Sequence, residues 1–249
     1  MALVDWGTFA LIAITIVCAY SVFGITGFGA AMVAVPVSAH LLPLTIVVPT
    51  ILLTDLVATL TVGAKNWRQL DVTELVRIAP PMLLGIAIGV MALRRLPPNG
   101  ILLALGIFVV MHSIWGLFKK DTHLKIISYK WVYLAGSVGG IFGAAFGTGG
   151  PIYTIYLMRR IRDTEVLRAT MAVVILISAL LRLLVFGMAG FYSNNNLYLL
   201  AICLIPFCLC GVLIGSKLRH KISHHHLKKL MLQLLFLGGI SVIFRALQV

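Results

Sequence analysis

Acid is what this chain has least of. Seven Asp and Glu stand against 20 Lys and Arg, and charged residues together make up only 11% of 249 positions. Soluble domains average about 25% charged residues, so an ordinary water-facing surface cannot be built from this composition. The four cysteines, Cys18, Cys203, Cys208 and Cys210, fall in apolar runs without the spacing of a disulfide framework or a metal site, and read as small buried hydrophobes. No cofactor is expected. A Gly-x-x-x-x-Gly-Lys-Ser/Thr run is missing, which argues against nucleotide-driven work by this chain. No histidine or carboxylate lies near Cys203, Cys208 and Cys210, so an enzyme is not expected either. Met1-Ala2-Leu3-Val4-Asp5 has no cationic region, and no small-residue cleavage site follows, so the first apolar run is expected to stay in the mature protein.

What fills the chain is hydrophobic surface, 61% of residues, arranged in runs long enough for helices crossing about 30 Å of hydrocarbon. The runs are 8–24 and 30–42, 44–63, 75–93 and 100–118, then 131–146 and 151–158, 168–190, 197–215 and 227–247. The composition is that of an all-α, polytopic integral membrane protein with lipid as its surroundings. Its basic residues sit in short loops between apolar runs, where the positive-inside rule places them, so nucleic acid is not an expected partner. His224-His225-His226, beside Lys228 and Lys229, reads as a solvated loop.

Two glycine-rich breaks interrupt apolar runs, Gly24-Ile25-Thr26-Gly27-Phe28-Gly29-Ala30 and Gly143-Ala144-Ala145-Phe146-Gly147-Thr148-Gly149-Gly150-Pro151. Gly27 and Gly29 match Gly147 and Gly149 at one constant separation. Pro80, Gly85, Gly89 and Phe118 match Pro206, Gly211, Gly215 and Phe244 at another, and the longer loop 159–166 accounts for the change. The chain reads as two repeats, 1–120 and 121–249. If each break doubles back, nearly all loop Lys and Arg fall on one face and only Arg94, Arg95 and Arg245 on the other, a far better fit to the positive-inside rule than single crossings give. That choice inverts the halves, each a re-entrant helix pair plus three spanning helices, with basic loops cytoplasmic and both termini outside. Gly85/Gly89 and Gly211/Gly215, at four-residue spacing, read as close-packing positions.

Interrupted helices in matching halves point to a substrate site near the midplane. Free amides of Gly27, Phe28, Gly29 and Ala30, and of Gly147, Thr148, Gly149 and Gly150, together with the hydroxyls of Thr26 and Thr148, are expected to face one cavity, where two helix N-termini favour an anion. Asp55 and Arg182 lie about midway along their spans, and a charge there costs roughly 2.5–3.5 kcal/mol even on insertion scales. Arg182 is a candidate for the anion, and Asp55 and His112 for proton coupling. An ion pair that only fixes the interface of the halves is the other reading of Asp55 and Arg182.

Through Gly24, Gly27, Gly29 and Pro36 in the first half and Gly143, Gly147, Gly149, Gly150 and Pro151 in the second, nearly the whole chain resembles the sulfite exporter TauE/SafE family of bacterial membrane proteins. The resemblance implies transport of small sulfur-containing anions, sulfite or organosulfonates, usually outward across the inner membrane. Proton-coupled uptake of a small anion, or an anion channel, are the alternatives.

Overall fold

A computed structural model describes residues 5–26, 29–63, 70–118, 126–193, 195–218 and 224–248. Its helices are α1 (Trp6–Thr26), α2 (Ala30–Ser38), α3 (Leu44–Gly63), α4 (Val72–Arg95), α5 (Pro98–Phe118), α6 (Trp131–Phe146), α7 (Gly150–Met158), α8 (Thr164–Met188), α9 (Asn195–Leu218) and α10 (His224–Gln248). Among the described residues, α1, α3, α4, α5, α8 and α9 are long and apolar enough to cross a membrane. The protein is all-helical and polytopic.

Side-chain caps carry two helices beyond their apolar runs. The Asp71 carboxylate accepts from the Glu74 amide at 3.0 Å and starts α4 at Val72; Asp163 accepts from the amides of Glu165 and Val166 and starts α8 at Thr164. In contrast, α2 stops at Ser38, short of the expected residue 42. Pro43 disfavours helical backbone at Leu42, and the chain closes a turn in which the amides of Leu41 and Leu42 both donate to Ser38 O at 3.0 Å. The His224 triplet opens α10 rather than lying in a loop; its side chains are outside the described set.

Glycine brings helices of the two halves into backbone contact. A Cβ on Gly85 of α4 would lie 2.1 Å from Ser137 O of α6, and one on Gly215 of α9 would lie 2.0 Å from Ser21 O of α1. Each half therefore lends a long helix to the other half's interrupted pair: α4 runs parallel to α6, and α9 parallel to α1. At the periphery α5 and α10 run antiparallel, with Gly106 against Gly239 and Ile243, and Gly116 against Leu232.

The path of the second pair is fixed by Arg160, which follows α7 and donates from Nη1 to Ile127 O at 3.1 Å, just before α6 begins. The chain thus returns to the end of the bundle from which α6 set out. At the far end Arg94 donates to Ala189 O at 3.2 Å and joins the C-termini of α4 and α8.

Candidate anion site between two helix breaks

The first break resumes at Gly29, whose φ of 92° is the left-handed backbone that glycine adopts without a Cβ penalty. α2 starts there: the Met32 amide donates to Gly29 O at 3.1 Å, and the amides of Ala30 and Ala31 make no hydrogen bond among the described residues. Gly27 and Phe28 lie outside the described residues, as does the side chain of Thr26, which ends α1.

The second break is a joint with more parts. Gly147, at φ 70°, terminates α6: its amide donates to Gly143 O at 2.9 Å, and the Thr148 amide donates to Phe142 O at 3.2 Å. These are the bonds that satisfy a helix's last carbonyls. The amides of Gly147 and Thr148 are therefore not free, contrary to expectation, and the Thr148 hydroxyl is turned to the same Phe142 carbonyl at 3.3 Å. The amides of Gly149 and Gly150, at the start of α7, make no hydrogen bond among the described residues.

The two tips meet. A Cβ on Gly147 would lie 2.6 Å from the Cβ of Ala31, and between the tips lies a cavity of about 40 Å³. Gly29, Ala30, Gly147, Thr148, Gly149, Gly150, Asp55 and Arg182 all line it. Its other walls include Phe23, Thr59, Tyr153 and Ser178. At about 10–15 Å³ per water-sized occupant, it has room for roughly three waters.

Arg182 is buried, 6% exposed. Its Nη1 donates to Gly143 O at 3.0 Å and its Nε to Ser178 O at 3.3 Å. The guanidinium sits at the C-terminal end of α6, where carbonyls favour a cation, and its charge reaches the cavity from there. Asp55, 8% exposed, accepts from the Tyr20 hydroxyl at 2.7 Å, and the same hydroxyl lies 2.7 Å from Thr54 Oγ1. Cys208 donates to Thr54 O at 3.6 Å, which accounts for one intramembrane thiol. Asp55 and Arg182 share the cavity without forming an ion pair. Among the described residues the ion pairs are Arg77 with Glu74 and Arg160 with Glu74.

His112 does not reach this cavity. It lies on α5 between the rings of Phe108 and Trp115, because α5 packs outward on α10. Among the described residues no group of three or more His, Cys, Asp or Glu could hold a metal ion.

Two residues of consequence escaped the sequence. Glu74, 2% exposed, accepts from Tyr156 at 2.5 Å and from Arg160 Nε and Nη2 at 3.0 and 2.8 Å, tying the end of α7 to the start of α4. Hydrogen bonding to that carboxylate holds the Arg160 guanidinium above its ordinary value. The second is Tyr153, 2% exposed, whose hydroxyl has no hydrogen-bond partner among the described residues.

Comparison with known proteins bears on the same region. Over 193 residues, 77% of this chain and 80% of the relative, the sequence is 26% identical to the probable inner membrane transporter protein TsaS of Comamonas testosteroni. No solved structure matches. The family model described as sulfite exporter TauE/SafE matches residues 12–242, spanning both breaks and every wall of the cavity, and the chain belongs to that family of membrane transporters.

Proposed function

We propose that this chain is a secondary transporter that carries small sulfur-containing anions, of the sulfite or organosulfonate class, outward across the inner membrane. The observation that carries this reading is that both glycine breaks and the Arg182 guanidinium line one cavity. Unbonded amides at the start of α7, the first turn of α2 and a buried cation present donors to that space, and acceptor-rich anions are what such a lining suits. Its small volume favours sulfite over sulfonates with long organic groups.

Energetics supports the direction. With a negative interior, each negative charge moved outward gains about 2.3 kcal/mol per 100 mV. Export then needs no coupling ion. We read the halves 1–120 and 121–249 as inverted repeats, a reading supported by the parallel pairs α1/α9 and α4/α6 and the antiparallel pair α5/α10. Basic loops are then cytoplasmic and both termini outside. A second reading, proton-coupled uptake, is favoured by Asp55, a buried carboxylate on the same cavity with Tyr20 as its donor.

The test is sulfite flux and binding in proteoliposomes for Arg182→Gln, Asp55→Asn and the double variant. Because no ion pair joins the two residues, Arg182→Gln should weaken sulfite binding at least tenfold, a loss of about 1.4 kcal/mol, and Asp55→Asn should not restore it. Recovery in the double variant would remove Arg182 from the anion site. Loss of the pH dependence of net flux in Asp55→Asn, with sulfite exchange retained, would decide for proton coupling.

A further inference from the structure

The Tyr153 ring is held in a slot that two glycines leave open. A Cβ on Gly139 of α6 would lie 2.2 Å from its Cε1, and one on Gly149, at the tip, 3.1 Å from its Cε2. The ring is thereby fixed from two elements, and Tyr153 forms part of the wall of the cavity. Tyrosine hydroxyls that are buried normally find a partner. Among the described residues this one has no partner in hydrogen-bonding geometry, although Ser178 of α8 lines the same cavity. A buried, unpartnered hydroxyl on a residue that shares a cavity with the Arg182 guanidinium and two unbonded amides is a donor without an acceptor.

We infer that Tyr153 is a direct ligand of the transported anion, donating its hydroxyl to an oxygen of a small oxyanion whose remaining charge is met by Arg182 and the amides of Gly149 and Gly150. The inference rests on the anion reading above and adds to it a side chain that contacts the anion. Such an ion spreads its charge over several oxygens and reaches the hydroxyl and the cationic side of the cavity together. The helix termini and guanidinium supply positive potential without choosing among anions. The tyrosine supplies direction, because a bond from O–H to a charged oxygen is short and angle-dependent.

Tyr153→Phe removes one oxygen and keeps the ring in its slot. With purified protein, sulfite titrated against wild type and variant should show an affinity lower by about ten- to a hundredfold in the variant, the loss of one hydrogen bond to a charged acceptor. The melting temperature without sulfite should stay the same or rise, since the unliganded hydroxyl has no partner to lose. Unchanged affinity in a wild-type background that binds sulfite would overturn the role of Tyr153 alone. Equal falls in affinity and unliganded melting temperature, or failure of the variant to accumulate, would make the hydroxyl structural and overturn it as well. A wild type that binds neither sulfite nor a short sulfonate would remove the anion reading, and this inference with it.

Discussion

The two interrupted pairs, α1–α2 and α6–α7, share a glycine signature but are built to different tolerances. In the second, the tip is capped by two backbone bonds, Gly149 presses on the Gly139 carbonyl, Arg182 holds the end of α6, and Glu74 ties down the end of α7. In the first, no atom of the described residues lies within 4 Å of where a Cβ on Gly29 would stand, and the residues just past α2, Ala39 and His40, meet Arg245 and Ser241 of α10. A repeated motif thus need not repeat a role. The second pair is the anchored wall of the cavity, and the first presents open backbone to it.

The strongest way to break this contrast is to add one methyl group to each tip. In Gly149→Ala the new Cβ would lie 2.5 Å from Gly139 O, a backbone atom that cannot swing away. Overpacking of that kind should cost about 3 kcal/mol or more, read as loss of folded protein or a large drop in melting temperature. Gly29→Ala meets no atom of the described residues and carries the penalty of left-handed backbone, about 1–2 kcal/mol, so it should accumulate near wild-type level while sulfite transport falls, because its methyl group enters the cavity wall. Equal stability losses in the two variants would end the distinction between anchored and open tips.

That distinction was only half legible in the sequence. The breaks themselves were readable, since glycines so dense inside an apolar run cannot continue a helix, and Asp55 and Arg182 announced themselves as charges in mid-span. Which amides stay free was not readable. Gly147 and Thr148 looked equivalent to Gly149 and Gly150, and only the left-handed turn at Gly147 sends the first two amides back to α6. Glu74, three residues after the cap Asp71, has the look of a surface acid in a first helical turn. Its burial depends on Tyr156 and Arg160, 82 and 86 residues away. Tyr153 was one aromatic in an apolar run until Gly139 was seen to make room for its ring. His112 failed in the opposite sense: a titratable residue in a span was legible, but the outward packing of α5 was not.

A smaller effect is expected from unfastening the anchored pair at its far end. Glu74→Gln keeps the shape of the side chain but removes the charge that binds Arg160 at 2.8 and 3.0 Å and Arg77 at 3.4 Å. Breaking a fully buried ion pair costs about 3–5 kcal/mol. Here the arginines are partly exposed, 23% and 43%, and rehydrate, so about 2 kcal/mol is expected. Hydrogen exchange should locate the loss in α7 and the start of α4 with α2 unaffected. Exchange that rises equally in α2 and α7 would mean that Glu74 supports the whole bundle rather than one pair.

The smallest effect sharpens the comparison by pH. His40, at the end of α2, has its ring nitrogen Nε2 3.1 Å from Ser241 Oγ. Partial burial first, and the nearby Arg245 charge second, hold its imidazole below the ordinary value of about 6.5. The folded chain therefore takes up this proton at lower pH than the unfolded chain does. Its contribution to stability is full above about pH 6.5 and is lost as pH falls toward and through the depressed folded value. At the corresponding end of α7, Arg160 is held charged by Glu74 and does not titrate in this window. Acidification from about pH 7.5 to about pH 5 should therefore raise hydrogen exchange in α2 more than in α7, and His40→Gln should remove much of that excess. The shift is expected to be modest, because the side chain is exposed and water moderates the repulsion. An acid response in α2 that is the same with and without His40 would show that the open pair owes its looseness to the tip at Gly29 alone.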